Sequence, residues 1–285
     1  MHLDPNLIEG LPDSLEAWKE RDVVMDPEWF KPWELLRPFF QEAGYELYDP
    51  HTHGQSSTAR SADPPAADSF GLYGDRSNFK SRFLAPRNNR DVVIKPVSKG
   101  DEGRTERQIL QVLNSAPLRS NPANPALEVI EFIELHDFCF AVMPCCDACD
   151  DRPFLTSFEC LEFAEQVLED LSNENILINH RGTLPPSVVY ESLYEPPVKI
   201  TPPLQWRSTF PAKYYFIDFG CSAIFSKDAE LSQCFVDPYI NSREQRPSET
   251  YANRPFNPFA VDVYYAARLF YGWFPVRVGS FNYQT

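Results

Sequence analysis

The segment YYFIDFG, residues 214–220, decides how the rest of this chain is read. Its first four residues are apolar or aromatic and fit a short buried strand, which runs directly into Asp218, Phe219 and Gly220. A carboxylate at a strand end is well placed to ligate Mg2+, a phenyl ring beside it can bury, and a glycine after it allows the turn. Three such residues recur by chance, so their weight depends on the segments around them.

Upstream, DLSNENIL (170–177) carries Asp170 and Asn175 five positions apart. That spacing lets a looped carboxylate face a substrate hydroxyl while the amide oxygen of Asn175 binds a metal ion. Further upstream, DVVIK (91–95) is an apolar strand ending in Lys95, and Glu106 follows on a helix from which it can reach a strand lysine. Taken singly, Lys95 reads as a solvated edge charge, Glu106 as an exposed helical residue, and DLSNEN as a polar helix stop.

The elements between these residues follow from periodicity. FGLYGDRSNFKSRFLAPRNNRDVVIKPV (70–97) suggests a strand pair turning at RNNR. EGRTERQILQVLNS (102–115) places Ile109, Leu110, Val112 and Leu113 on one face of a helix starting after Gly103, and APLRSNPANPA (116–126) ends it. LEVIEFIEL (127–135) and FCFAVMP (138–144), separated by His136 and Asp137, read as a hairpin. TSFECLEFAEQVLEDLS (156–172) predicts a second helix with Phe158, Leu161, Ala164 or Glu165, and Leu168 stacked on one side. NILINH (175–180) is a strand, and NPFAVDVYYAARLFYGWF (257–274) a last helix. Before all of these, 12–21 and 27–45 read as short aromatic helices, with Asp13 or Ser14 and Asp26 as caps and Gly44 as a stop. Their rings need something to cover them. The polar run after residue 50, with His51 and His53, is a solvated linker.

Composition limits the function classes. The chain has 41 Asp and Glu against 26 Lys and Arg, a net charge of −15, which argues against a broad grip on nucleic acid or on an anionic membrane. No stretch approaches the roughly twenty apolar residues of a membrane span. Seven cysteines and no opening apolar run suit a reduced, cytoplasmic or nuclear protein. Cys146 and Cys149 form a C-x-x-C, but no second pair follows at the spacing of structural zinc. Proline is excluded from helix interiors and central strands, so 27 of them predict many long connections.

Together, VVIK with Lys95, the helix Glu106, DLSNEN with Asp170 and Asn175, and DFG with Asp218 resemble, in that order, the signature set of the protein kinase superfamily. The wording RDVVIK, FAVMP and YYFIDFG is most similar to a divergent fungal group of kinase-like proteins. The resemblance covers about residues 70–275. It implies an α+β, bilobal kinase-like fold. In this layout residues 1–69 are an N-terminal extension and linker, 70–144 a β-rich small lobe built on a five-strand-like meander, and 145–285 a truncated helical large lobe with a Pro-rich surface insertion at 181–211.

The resemblance also implies roles. Lys95 would clamp the α- and β-phosphates of ATP with Glu106 as its ion-pair partner, and Met143 and Cys145 would lie beside the adenine. Asp170 would orient or deprotonate the acceptor hydroxyl, Asn175 and Asp218 would hold Mg2+, and Asp262 would take the place of the aspartate that anchors the catalytic loop. The activity implied is transfer of the γ-phosphoryl group to a protein Ser or Thr hydroxyl, with a protein substrate or partner and neither nucleic acid nor membrane.

The chain departs from the family pattern in places. Leu168 and Glu169 stand where His-Arg is expected, and about fifteen residues of the family layout are missing ahead of Asp170. Gly71 and Gly74 do not form a G-x-G-x-x-G, RPSE (246–249) only loosely resembles A-P-E, and few residues follow the last helix. The alternative is therefore a pseudokinase or binding module on the same fold.

Overall fold

The structure, a computed structural model, describes residues 9–19, 30–47, 83–87, 90–144, 146–149, 154, 156–167, 175–179, 207–238, 247–251 and 254–273. It is a mixed α+β protein with two antiparallel sheets among the described residues. In chain order the elements are α1 (Leu15–Lys19), α2 (Lys31–Glu42), β1 (Phe83–Arg87), β2 (Arg90–Lys99), α3 (Arg104–Leu113), α4 (Ala116–Arg119), β3 (Glu131–Leu135) and β4 (Phe138–Pro144). There follow β5 (Asp147–Ala148), α5 (Ser157–Val167), β6 (Ile176–Ile178), β7 (Tyr214–Phe216) and α6 (Pro258–Trp273).

The first sheet has the order β1-β2-β4-β3. Arg87 faces Arg90 across the first hairpin, as RNNR suggests, and Leu135 faces Phe138 across the second, where His136 takes a φ of +57° in the turn. The strand expected over 127–135 is shorter than its apolar pattern. Leu127 instead donates its N–H to the Phe216 carbonyl of the second sheet, at 3.0 Å, so the segment bridges the two sheets before joining the first. Any strand within 70–82 lies outside the described residues.

Proline is less disruptive than its chemistry suggests. Pro96 sits inside β2, a central strand, where the pairing register shifts between Pro96 and Ser98. The bulge at Val97 accommodates a residue with no N–H to give to the ladder. Pro38 lies inside α2, a second exception to the expected punctuation.

Strand pleating divides β4 between two cores. Phe138, Phe140 and Val142 join one cluster with Val92 and Ile94, while Cys139, Ala141 and Met143 join another with Val97, Leu110 and Ile217. The first cluster is closed by the N-terminal helices. Trp18 and Trp33, 1% and 0% exposed, meet edge to face at 5.3 Å, and Trp18 also lies edge-on to Phe138 and Phe140. The rings of Trp18, Trp33, Phe39 and Phe40 thus have their cover within the chain. Residues 9–19 and 30–47, expected as part of an extension, supply eight of the fourteen buried residues of that cluster.

The helix ends there agree with the sequence. Ser14 Oγ accepts from the Ala17 N–H at 2.9 Å, and Gly44 stops α2 with a φ of +89°. Asp26 lies outside the described residues. A cap the sequence did not suggest is Glu102, whose carboxylate accepts from the Leu15 and Glu16 N–H groups at 2.7 and 2.8 Å. Glu102→Ala is expected to cost about 1 kcal/mol, read as a lower urea midpoint with an unchanged m-value.

Helix α3 begins directly after Gly103, as expected. Gly103 has a φ of +72°, and a Cβ there would stand 2.2 Å from the Val97 carbonyl oxygen. Gly103→Ala is therefore expected to destabilise by more than about 1 kcal/mol, because both conformation and space forbid the methyl. The buried face of α3 is Glu106, Ile109 and Leu110, with Val112 51% exposed, because helical geometry aligns 106, 109, 110 and 113 and carries 112 off that stripe. The Pro-rich stretch that ends α3 forms α4.

The second sheet, β5-β6-β7, packs against α5 and α6. Here one expected face is reversed. Phe158 and Leu161 are 70% and 68% exposed, whereas Glu159, Phe163 and Val167 are buried. Two partner sets account for the choice. Phe163 packs on Tyr214 at 4.9 Å, and Glu159 is satisfied by the N–H groups of Thr156 and Ser208. Leu168 lies outside the described residues. In α6, Leu269 is buried at 8% exposure, and Tyr265 and Phe270 pack on the same cluster.

The expected surface excursion at 181–211 ends inside the protein. Arg207 is 1% exposed, donates to the Tyr214 hydroxyl at 2.6 Å and to the Cys149 carbonyl, and stacks 4.0 Å from the centre of the Phe154 ring. An arginine buries when its donors are used and its flat face lies on an aromatic ring. Burial raises the Tyr214 phenol above the usual range, while Arg207 opposes that shift.

Candidate functional site

Lys95, Glu106 and Asp218 meet in one constellation. Lys95 Nζ lies 2.5 Å from Glu106 Oε1 and 2.8 Å from Asp218 Oδ1, joining residues 11 and 123 positions apart in sequence. The position of each follows from local structure. Pleating of β2 puts Lys95 on the face opposite Ile94, which is committed to the aromatic core. The left-handed start of α3 at Gly103 brings Glu106, in the first turn, over that face. Asp218 follows β7 at the point where the chain leaves the sheet.

Burial makes this constellation expensive to disturb. The side chains of Lys95 and Glu106 are 4% and 2% exposed, and that of Asp218 is 29% exposed. Glu106 Oε2 is buried with no hydrogen-bond partner. One ammonium thus serves two carboxylates beside an opening at Asp218. Such a site suits a ligand that brings both a cation for the carboxylates and an anion for the lysine.

Asp218 itself has φ +67° and ψ +67°, the left-handed region. The sequence assigns the turn to Gly220, but the positive φ belongs to the aspartate. A non-glycine residue held there is strained, a cost that persists at sites where the surroundings fix a side chain's direction. Gly220 lies close by, its absent Cβ position 3.5 Å from Glu106 Oε2 and 3.6 Å from Asp218 Oδ1.

Asn175 is 7% exposed, and its backbone carbonyl accepts from the Ile217 N–H at 3.0 Å, fixing it one strand away from Asp218. Both residues line a cleft of about 610 Å3 that also includes Phe219, Cys221 and Asp262. Met143 is buried in the apolar cluster that contains Leu177 and Ile217. Cys146 and Cys149 are both buried, and they fall in different clusters. Asp170 and Cys145 lie outside the described residues.

The donor set bears on a metal. Among the described residues, no group of three or more His, Cys, Asp and Glu could hold a metal ion alone. Asn175 and Asp218 offer an amide and a carboxylate, a set that suits Mg2+ when the remaining ligands are phosphate oxygens and water.

Sequence reasoning missed Glu102 and Arg207, and no short pattern marks either, since each acts through partners far along the chain. No family model matches the chain, and no curated protein matches it in sequence. Among the described residues no helix is long and apolar enough to cross a membrane.

Proposed function

We propose that this chain is a protein-kinase-like, ATP-binding domain. The first sheet with α3 forms its small lobe, and the second sheet with α5 and α6 a shortened large lobe. More particularly, it transfers the γ-phosphoryl group of ATP to a Ser or Thr hydroxyl of a protein. The observation that carries this proposal is the Lys95–Glu106–Asp218 constellation, in which a buried lysine is positioned by a buried glutamate and meets the aspartate of DFG.

In this proposal Glu106 holds Lys95 in place, and Lys95 turns its ammonium from Asp218 to the α- and β-phosphates. Asp218 and Asn175 would hold Mg2+, which would neutralise phosphate charge. Asp170 orients or accepts the proton of the acceptor hydroxyl. Phosphoryl transfer depends mainly on positioning and charge neutralisation, which these residues supply. A second proposal, a nucleotide-binding module without transfer, is favoured by Leu168-Glu169 in place of His-Arg.

Incubation of the purified chain with γ-labelled ATP, Mg2+ and a mixed protein substrate separates the two. The first proposal expects label on Ser or Thr that grows with time. Saturable ATP binding with no label above background selects the second.

A further inference from the structure

We propose that helix α1 is a built-in clamp on the Lys95–Glu106 ion pair. By gripping the turn between β2 and α3 it holds Glu106 against Lys95, and Glu102 is the positioning residue that couples the two. That turn separates the residues it must align, with Lys95 upstream on β2 and Glu106 downstream in the first turn of α3. Lys99 and Glu102 close it with two backbone hydrogen bonds, at 2.9 and 3.0 Å, and Gly100 donates to the Asp137 carbonyl at 2.8 Å, tying the turn to the second hairpin. Gly103 then lies so close to the Val97 carbonyl that no Cβ fits, which restricts how α3 leaves the turn.

Helix α1 holds this turn from both sides. The Glu102 carboxylate accepts from the Leu15 and Glu16 N–H groups at 2.7 and 2.8 Å, and Lys99 Nζ donates to the Asp13 carbonyl at 2.9 Å. Hydrogen bonds from backbone N–H to a carboxylate are roughly twice as strong as neutral ones. The other end of α1 is anchored in the aromatic core, where Leu15 and Trp18 are buried and Trp18 lies edge-on to Phe138 and Phe140 of β4. The N-cap of α3 is Gly103, which has no side chain to cap with, so the direction of its first turn is set by the turn before it. A buried ion pair tolerates little displacement, because its attraction must offset the desolvation of both charges. A small swing of α3 is enough to weaken the pair, and Glu102 resists that swing. The use of the pair for nucleotide rests on the function proposed above; the clamp does not.

The double-mutant cycle of Lys95→Met and Glu106→Gln, measured by urea unfolding of the full chain without nucleotide, reads the strength of the pair in any background. In the Glu102→Ala background the coupling is expected to fall at least about tenfold as an equilibrium constant, or about 1.4 kcal/mol. Glu102→Gln keeps an oxygen that can accept and is expected to retain most of the coupling, which separates the hydrogen bonds from the charge. Asn179→Ala removes hydrogen bonds to Pro211 and Lys213 beside the second sheet and controls for general destabilisation; its coupling should equal that of wild type. Native-state hydrogen exchange needs only the single variants, and the α3 amides are expected to exchange about tenfold faster in Glu102→Ala than in Asn179→Ala. Coupling in Glu102→Ala as strong as in Asn179→Ala, or α3 exchange no faster than in that control, would overturn the proposal. A fall in coupling together with no ATP binding by wild type would support the clamp and count against the nucleotide site alone.

Discussion

Lys95→Met is expected to lower the melting temperature by roughly 10 °C and to abolish ATP binding. The substitution keeps the length and apolar stem of the side chain, so what it removes is the ammonium. Glu106, 2% exposed, is then left as a buried carboxylate facing Asp218 with no cation between them. Breaking a buried ion pair from one side typically costs about 3–5 kcal/mol, much of it the penalty of the stranded charge. For a chain of this size each kcal/mol lowers the melting temperature by about 2–4 °C. Because the stranded charge is the cause, Lys95→Met/Glu106→Gln should recover part of the loss, and the double-mutant cycle should show strong coupling. A melting temperature within about 2 °C of wild type in Lys95→Met would mean that the ion pair does not form in solution.

Asp218→Ala is expected to reduce Mg2+-dependent transfer on the order of 10²–10³-fold, the cost of losing one group that stabilises charge in a phosphoryl transfer site. Its effect on binding should have the opposite sign without metal. With Asp218 gone, Lys95 loses one of its ion-pair partners and the site loses a negative charge, so metal-free ATP is expected to bind more tightly than to wild type. Titrations with and without Mg2+ read this directly. Equal transfer rates in Asp218→Ala and wild type would remove Asp218 from the chemistry. Asp218→Asn is the milder control, since Asn tolerates the left-handed backbone at this position.

Much of this arrangement was legible in the sequence where the determining interactions are local. The start of α3 at Gly103, the stop at Gly44, the Ser14 cap and both hairpins of the first sheet were all marked by residue types with backbone consequences. The pairing of Lys95 with Glu106 was legible for a different reason, as part of an ordered set of residues rather than as a pattern in any one segment, whereas the contact of Asp218 with Lys95 was not expected.

What the sequence hid depends on distant partners. The face of α5 could not be chosen from periodicity, because two stripes compete: Phe158 and Leu161 on one, Glu159, Phe163 and Val167 on the other. The outcome rests on Tyr214, whose ring packs on Phe163, and on Ser208, whose N–H donates to Glu159, both some fifty residues away. Arg207 sits at the end of a Pro-rich stretch and reads as solvated until Phe154, Tyr214 and the Cys149 carbonyl surround it. The same applies to Trp18 and Trp33, whose rings require a cover that only the first sheet's far face identifies.

Calorimetric titration of ATP into the wild-type chain, with and without Mg2+ and alongside the Lys95→Met/Glu106→Gln variant, tests the proposed nucleotide site most directly. The expected result is saturable binding by wild type that Mg2+ strengthens, and its loss in the folded double variant. Folded wild-type protein that takes up no ATP in either condition, or a double variant that binds as well as wild type, would contradict it.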